Sequence, residues 1–240
     1  MLPLKDNVPT RSFPVVTVGL IVVNVLVYVW ENSGKGLNNH VFRWGYYPCA
    51  IDGPCTNFYA AHHHEVVATI FTSMFMHGGI VHIGGNMLFL WIFGNNVEDT
   101  LGRVRFLLWY LLGGIAATAA QTFVTLDFGT ARDASIPNVG ASGAIAAVLG
   151  AYFVLLPRAS VLTTIFLGFF FVFRELPAIL FLGIWILLQA LDGTLSLTTP
   201  QAGGGVAFFA HIGGFLFGIA TVQLVKKRPP LQPVVRHPWR

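Results

Sequence analysis

Two polar residues stand where an apolar chain can least accommodate them. Ser142, in Gly140-Ala141-Ser142-Gly143, opens a greasy segment, and His211, in Ala210-His211-Ile212-Gly213-Gly214, sits in another 69 positions later. A serine hydroxyl within reach of a neutral imidazole is an activated nucleophile. A third constellation, His82 and Asn86, is spaced by four and therefore shares one helix face. Both side chains can donate hydrogen bonds, which is what a developing tetrahedral oxyanion requires. His77, in Met76-His77-Gly78-Gly79, falls further out and is read as a structural residue pinning loop to helix.

The elements that must position these groups follow from composition. The 240 residues are 55% hydrophobic and 10% charged, against about 25% charged in soluble domains. Such a chain cannot clothe a water-facing surface, so it is read as an integral, multi-pass membrane protein in contact with lipid. Its net charge of +4 does not indicate nucleic acid, because the basic residues gather at helix ends. Six apolar segments are expected to span: Pro14–Trp30, Val81–Val97, Phe106–Leu126, Ala141–Leu156, Pro177–Leu191 and Phe208–Val225. Under that count eleven Lys and Arg residues share one face and only Lys35, Arg43 and Arg132 occupy the other. The positive-inside rule then puts both termini in the cytoplasm. The expected organisation is a cytoplasmic segment over 1–13, a six-helix membrane domain over 14–225 and a basic, disordered tail over 226–240. The first span lacks a small-x-small cleavage site in its flank and is read as retained.

Depth ties the polar residues together. Ser142 precedes Arg158 by 16 positions, His211 precedes Lys226 by 15, and His82 precedes Glu98 by 16. Rising about 1.5 Å per residue, each lies roughly 22–24 Å above the inner boundary of a layer about 30 Å thick. One level just beneath the outer surface is what a single outward-opening site requires. Gly143, Ala147 and Gly150 form a smooth stripe on the fourth span, and Gly214 and Gly218 another on the sixth. Such stripes let two backbones approach closely. No acidic residue lies at the depth of His211, so the expectation is a dyad without an orienting carboxylate.

The remaining segments are less specific. Residues 32–80 form a long outer loop rich in Trp and Tyr, suited to the headgroup zone. Cys49 and Cys55 lie in it on the oxidising side, and a disulfide between them or two free thiols both stay open. His62-His63-His64-Glu65 has no partner ligands at defined spacing, so it is read as an interfacial polar run; no metal and no cofactor are expected. Val161–Phe173 is apolar but too short for a crossing, and is read as interfacial or re-entrant.

Taken together, Gly140-Ala141-Ser142-Gly143, Ala210-His211-Ile212-Gly213-Gly214 and His82-Ile83-Gly84-Gly85-Asn86, with Glu98 and Gly102 downstream, resemble the rhomboid family of intramembrane serine proteases. The resemblance implies a six-helix bundle with a cavity opening away from the cytoplasm. It implies Ser142 as nucleophile, His211 as general base and acid, and His82, Asn86 and the Ser142 N–H as the oxyanion hole. It implies a serine endopeptidase that cuts transmembrane segments of other proteins, reached laterally past the fifth span, where Trp185 and Gln189 are expected to line the gate. Two features depart from the family pattern. Arg43-Trp44 reverses a loop dipeptide, and Ala146 stands where a tyrosine would stack on the histidine. A transporter would want polar residues through the full thickness, whereas here they stop at one level. A catalytically silent escort relative would lack the serine or the histidine. The short leader offers no transit peptide, so a bacterial inner membrane is expected.

Overall fold

A computed structural model describes residues 1–33, 36–62, 65–168, 170–198 and 206–234. Its helices longer than one turn are α1 (Val15–Glu31), α2 (Leu37–Trp44), α3 (Val66–Thr72), α4 (Ile80–Leu101, with a π-helical turn at Leu90–Gly94), α5 (Arg103–Phe128), α6 (Ser142–Leu155), α7 (Ala178–Thr198) and α8 (Phe208–Val225). Three of them, Arg103–Phe128, Ala178–Leu197 and Phe208–Val225, are long and apolar enough to cross a membrane. A fourth crossing is available if Val66–Phe75 and Ile80–Leu101, bent by 80°, make one broken span. α1 and α6 are apolar but shorter, at 17 and 14 residues.

α6 is the axis of the fold. Every residue from Gly143 to Tyr152 is buried, which is why its sequence is apolar all round rather than striped. Glycines set how close α8 comes to it. A methyl group on Gly214 would overlap the backbone of Gly143, one on Gly218 that of Ala147, and one on Gly150 that of Phe215. Backbone therefore packs on backbone along this crossing, with small residues in place of side-chain interdigitation. α6 is also short. Fourteen residues cover about 21 Å, less than the hydrocarbon thickness of about 30 Å, so a helix based at the inner boundary starts below the outer one.

The chain is not all helix. Ser160–Leu167 (β2) and Phe170–Pro177 (β3) form an antiparallel hairpin, and Leu2–Asp6 (β1) adds to β2 in the order β1-β2-β3. This corrects the all-α class, and it shows Val161–Phe173 to be a strand hairpin that does not cross the bundle. The β-branched and aromatic content of that run favours strand, and Gly168, at φ +63°, makes the turn. Pro3 is tolerated because β1 is an edge strand with a register shift beside it. Val161 and Thr163, two apart, are wholly buried beneath the bundle, while Phe166, Phe171 and Phe173 are exposed.

The sheet belongs to a polar latch at the end of the bundle where the described N- and C-terminal segments meet. Glu98 accepts hydrogen bonds from the N–H groups of Val16 and Thr17 at 3.0 and 2.7 Å and from the Thr17 hydroxyl at 2.7 Å. It thereby serves the unpaired donors at the positive end of α1. Asp99 pairs with Arg11 at 2.7 Å. Gly102, at φ +79°, makes the sharp exit from α4 into α5. The described part of the basic tail, to Val234, packs here. The backbone N–H groups of Lys227 and Arg228 donate to the Thr100 carbonyl at 3.1 Å, the Arg11 guanidinium donates to the Pro229 carbonyl at 2.9 Å, and the Val234 N–H donates to the Asn7 carbonyl at 2.9 Å.

At the other end the long loop folds back on the bundle. Tyr46 and Tyr47 are buried rather than facing the headgroup zone, and the Tyr46 hydroxyl bonds Thr122 on α5 at 2.8 Å. Cys49 and Cys55 are joined in a disulfide. Of the histidine run, His63 and His64 lie outside the described residues, and no cluster of metal-ligating side chains occurs among the described ones.

Candidate active site

Three helix beginnings converge at the end of the bundle opposite the sheet. Ser142 is the first residue of α6, His211 lies in the first turn of α8 and His82 in the first turn of α4. Each start is imposed locally. Gly140 holds φ +127°, a conformation costly for any residue with a Cβ, and its N–H is anchored to the Ser73 carbonyl at 2.8 Å. That bend aims the chain into α6. Ala210 at the start of α8 donates to Gln121 Oε1 on α5 at 3.1 Å. The N-terminal N–H groups of these helices, unpaired within their own turns, add positive potential to the space between them.

Across this space Ser142 Oγ and His211 Nε2 stand 2.8 Å apart, both half-buried. The other ring nitrogen, Nδ1, lies 2.6 Å from Gln189 Oε1 on α7. Trp185, one turn earlier on α7, has its ring centroid 5.8 Å from that of His211. Trp185 and Gln189 thus contact the histidine, a position the sequence reading gave only as a gate. The signal was available, since Gln189 is a lone amide inside an apolar span, and such residues face protein or water rather than lipid. Gln121 carried the same signal.

His82 packs against the bend before the serine. A Cβ on Gly140 would sit 2.7 Å from His82 Nε2 and 3.6 Å from Ser142 Oγ, so the missing side chain makes room for the imidazole beside the hydroxyl. Asn86 is buried, and its Nδ2 donates to His77 Nε2 at 2.9 Å. One of its two N–H groups is therefore committed to His77. His77 in turn gives its backbone N–H to the Glu31 carboxylate at 3.2 and 3.3 Å and sets its ring edge-on to His82, 5.1 Å away. His77 ties the break between α3 and α4 to the end of α1. Gly143, Gly150, Gly214 and Gly218 lie along the α6–α8 contact that brings the serine helix to the histidine helix.

A cleft borders Ser142, lined by Gly140, Gln121, Asn138, Ala207 and Ala210. A larger cleft shares Gln121, Asn138 and Ala207 and continues beneath Phe128, Thr130 and Asp133 of the loop after α5. The serine thus adjoins space that leads toward the loop after α5. No carboxylate hydrogen-bonds His211 among the described residues.

Buried apolar helices around a hydroxyl–imidazole pair define a multi-pass membrane protein with a polar site enclosed near one face. The rhomboid domain profile matches residues 64–228. The chain therefore belongs to the rhomboid family. It is similar to the presenilin-associated rhomboid-like protein A, mitochondrial, of Danio rerio, 35% identical over 167 residues, which covers 66% of this chain and 39% of that protein. Rhomboid protein 1, mitochondrial, of Saccharomyces cerevisiae is 30% identical over 152 residues, covering 63% and 40%. RHOMBOID-like protein 12, mitochondrial, of Arabidopsis thaliana is 30% identical over 210 residues, covering 83% and 55%. The chain spans only about half or less of these relatives' lengths. All three carry mitochondrial names, and the bacterial setting expected from the short leader has no counterpart among them.

Proposed function

We propose that this protein is an intramembrane serine endopeptidase that cleaves transmembrane segments of other membrane proteins. The observation that carries the reading is the 2.8 Å approach of Ser142 Oγ to His211 Nε2 at the outer end of a buried, apolar bundle. Ser142 loses its proton to His211 as Oγ attacks the scissile carbonyl. The tetrahedral oxygen is met by the Ser142 N–H, the His82 ring and the free N–H of Asn86. His211 then gives its proton to the leaving amine, and an acyl-enzyme remains on Ser142. Water from the outer side, activated by the same imidazole, hydrolyses it. Donors held in place for the charge that develops are worth about 10²–10³ in rate apiece, and three converging helix starts act in the same sense.

Six crossings are proposed, with α1, α4, α5, α6, α7 and α8 as the spans and the sheet and tail on the inner side. Charge asymmetry supports this arrangement, since the latch and hairpin carry the basic majority. In this arrangement both termini lie on that side. The substrate helix must unwind locally to expose its carbonyl, so small or helix-breaking residues near the cut are favoured.

The test is cleavage of a single-span substrate in proteoliposomes. Ser142→Ala and His211→Ala should each lower cleavage by about 10⁴-fold or more while inserting and folding normally. A fluorophosphonate should label the wild type and not Ser142→Ala. Undiminished cleavage by either variant sinks the mechanism.

A further inference from the structure

The imidazole of His211 is held by two helices besides its own. Its Nε2 faces Ser142 on α6 at 2.8 Å, and its Nδ1 faces Gln189 on α7 at 2.6 Å. A neutral imidazole carries one N–H and one bare nitrogen. To receive the serine proton, Nε2 must be the bare one, so the hydrogen must sit on Nδ1 and point at an acceptor. Gln189 Oε1 is that acceptor in this arrangement. Were the amide turned over, its NH₂ would donate to Nδ1 and force the hydrogen onto Nε2, the form unable to take a proton from serine. Trp185, a turn away on the same helix, packs its ring beside the imidazole. Ala146, fully buried on α6 one turn past the serine, leaves no ring to do so from there.

We propose that Gln189 is a positioning residue that completes a Ser142–His211–Gln189 hydrogen-bonded chain, holding His211 in the tautomer with Nε2 bare. The proposal rests on the reading of Ser142 and His211 as nucleophile and base, and it adds the group that orients the base. Because the amide is neutral, it fixes tautomer and ring orientation without supplying the counter-charge that a carboxylate would. It also makes the orientation of the base depend on α7 remaining seated against α8.

The test uses the full-length protein in proteoliposomes, with three readouts. The first is the second-order rate of fluorophosphonate labelling at Ser142. The second is KM and kcat for a single-span substrate. The third is the nitrogen NMR signature of ring-labelled histidine, compared with His211→Ala to assign the signal. Gln189→Leu keeps size and removes the acceptor, and Gln189→Glu keeps an acceptor. The expected result is a loss of about tenfold or more in labelling and kcat for Gln189→Leu with KM changed less than about twofold. That loss stays well short of the roughly 10⁴-fold seen when a triad histidine is held in the wrong tautomer. Gln189→Glu should recover most of it. The wild-type spectrum should show a protonated Nδ1 and a bare Nε2, and Gln189→Leu should lose that single form. A role in packing alone would leave the tautomer unmoved, and because Glu has the shape of Gln it is the NMR signature, not the rescue, that separates the two. If the wild type labels and Gln189→Leu labels as fast, or if the wild type carries its hydrogen on Nε2, the positioning role is overturned. A wild type that does not label at Ser142 overturns the peptidase reading itself, and this proposal with it.

Discussion

Ser142 and His211 were legible as a pair because polar groups in apolar spans need partners and these two stand nearly equally far from the basic ends of their segments. Gly140 was legible only as part of a motif. Its structural reason is a backbone at φ +127° lying directly under the His82 ring. Gly140→Ala should therefore strain the bend, at a cost of about 1–3 kcal/mol, and push the imidazole from beside the hydroxyl. The expected outcome is at least a tenfold drop in fluorophosphonate labelling in a protein that still inserts, read against Gly78→Ala, where a Cβ meets open space. Equal labelling in the two variants would show that this contact does not matter. What no count along the chain could reach was Gln189 at His211 Nδ1. Counting depth along a helix says nothing of its rotation about its own axis, and rotation decides which side chain meets the ring.

At the scale of elements, the α6–α8 crossing depends on the absence of side chains at Gly150, Gly214 and Gly218. Adding a methyl group at Gly218 forces the helices apart, since its neighbour is the Ala147 backbone rather than a movable side chain. Overpacking of this kind costs about 1–3 kcal/mol, occasionally more. Gly218→Ala should lower the melting midpoint in detergent by several degrees, and Gly183→Ala, on an open face, should not. The sheet carries a second prediction. Burial raises the Asp6 carboxyl above its ordinary value of 3.8, an effect partly offset by hydrogen bonds from Tyr152 and Asn96. The folded state then keeps this proton to higher pH than the unfolded chain does. Its contribution to stability is present below the unfolded value and is lost as pH rises through the raised one. The melting midpoint should fall over that window, and Asp6→Asn, which retains an acceptor for Tyr152, should flatten the fall. An unchanged slope in Asp6→Asn would rule out Asp6 as its source.

For the whole molecule, the charge asymmetry and the latch make one statement about sidedness. Arg11, Arg103, Arg105, Arg158, Arg174 and Lys227 all belong to the end that carries the sheet, whereas the Cys49–Cys55 disulfide lies with the outer loop. An epitope inserted at Asp52 should be reached by antibody added outside sealed vesicles of native orientation. One inserted after Gly168, in the hairpin turn, should be reached only after permeabilisation. Simultaneous access to both, or access to the second alone, would invert or break the proposed arrangement.

The apolar majority, its interruption by basic clusters, the small-residue stripes and the similar spacing of Ser142, His82 and His211 from the charged ends of their segments are all properties of one-dimensional order, and the amino-acid sequence alone determined them. Hydropathy and rise per residue act on every segment separately, so they need no knowledge of its neighbours. Tertiary structure decided the rest. An apolar run such as Val161–Phe173 has no periodicity that distinguishes a strand from a buried helix, and only β1, arriving from the far end of the sequence, gave β2 a partner along its free edge. In the same way, only the seating of α7 against α8 brought an amide to the far side of His211, because the facing of two helices is set by packing between them and is written in neither one.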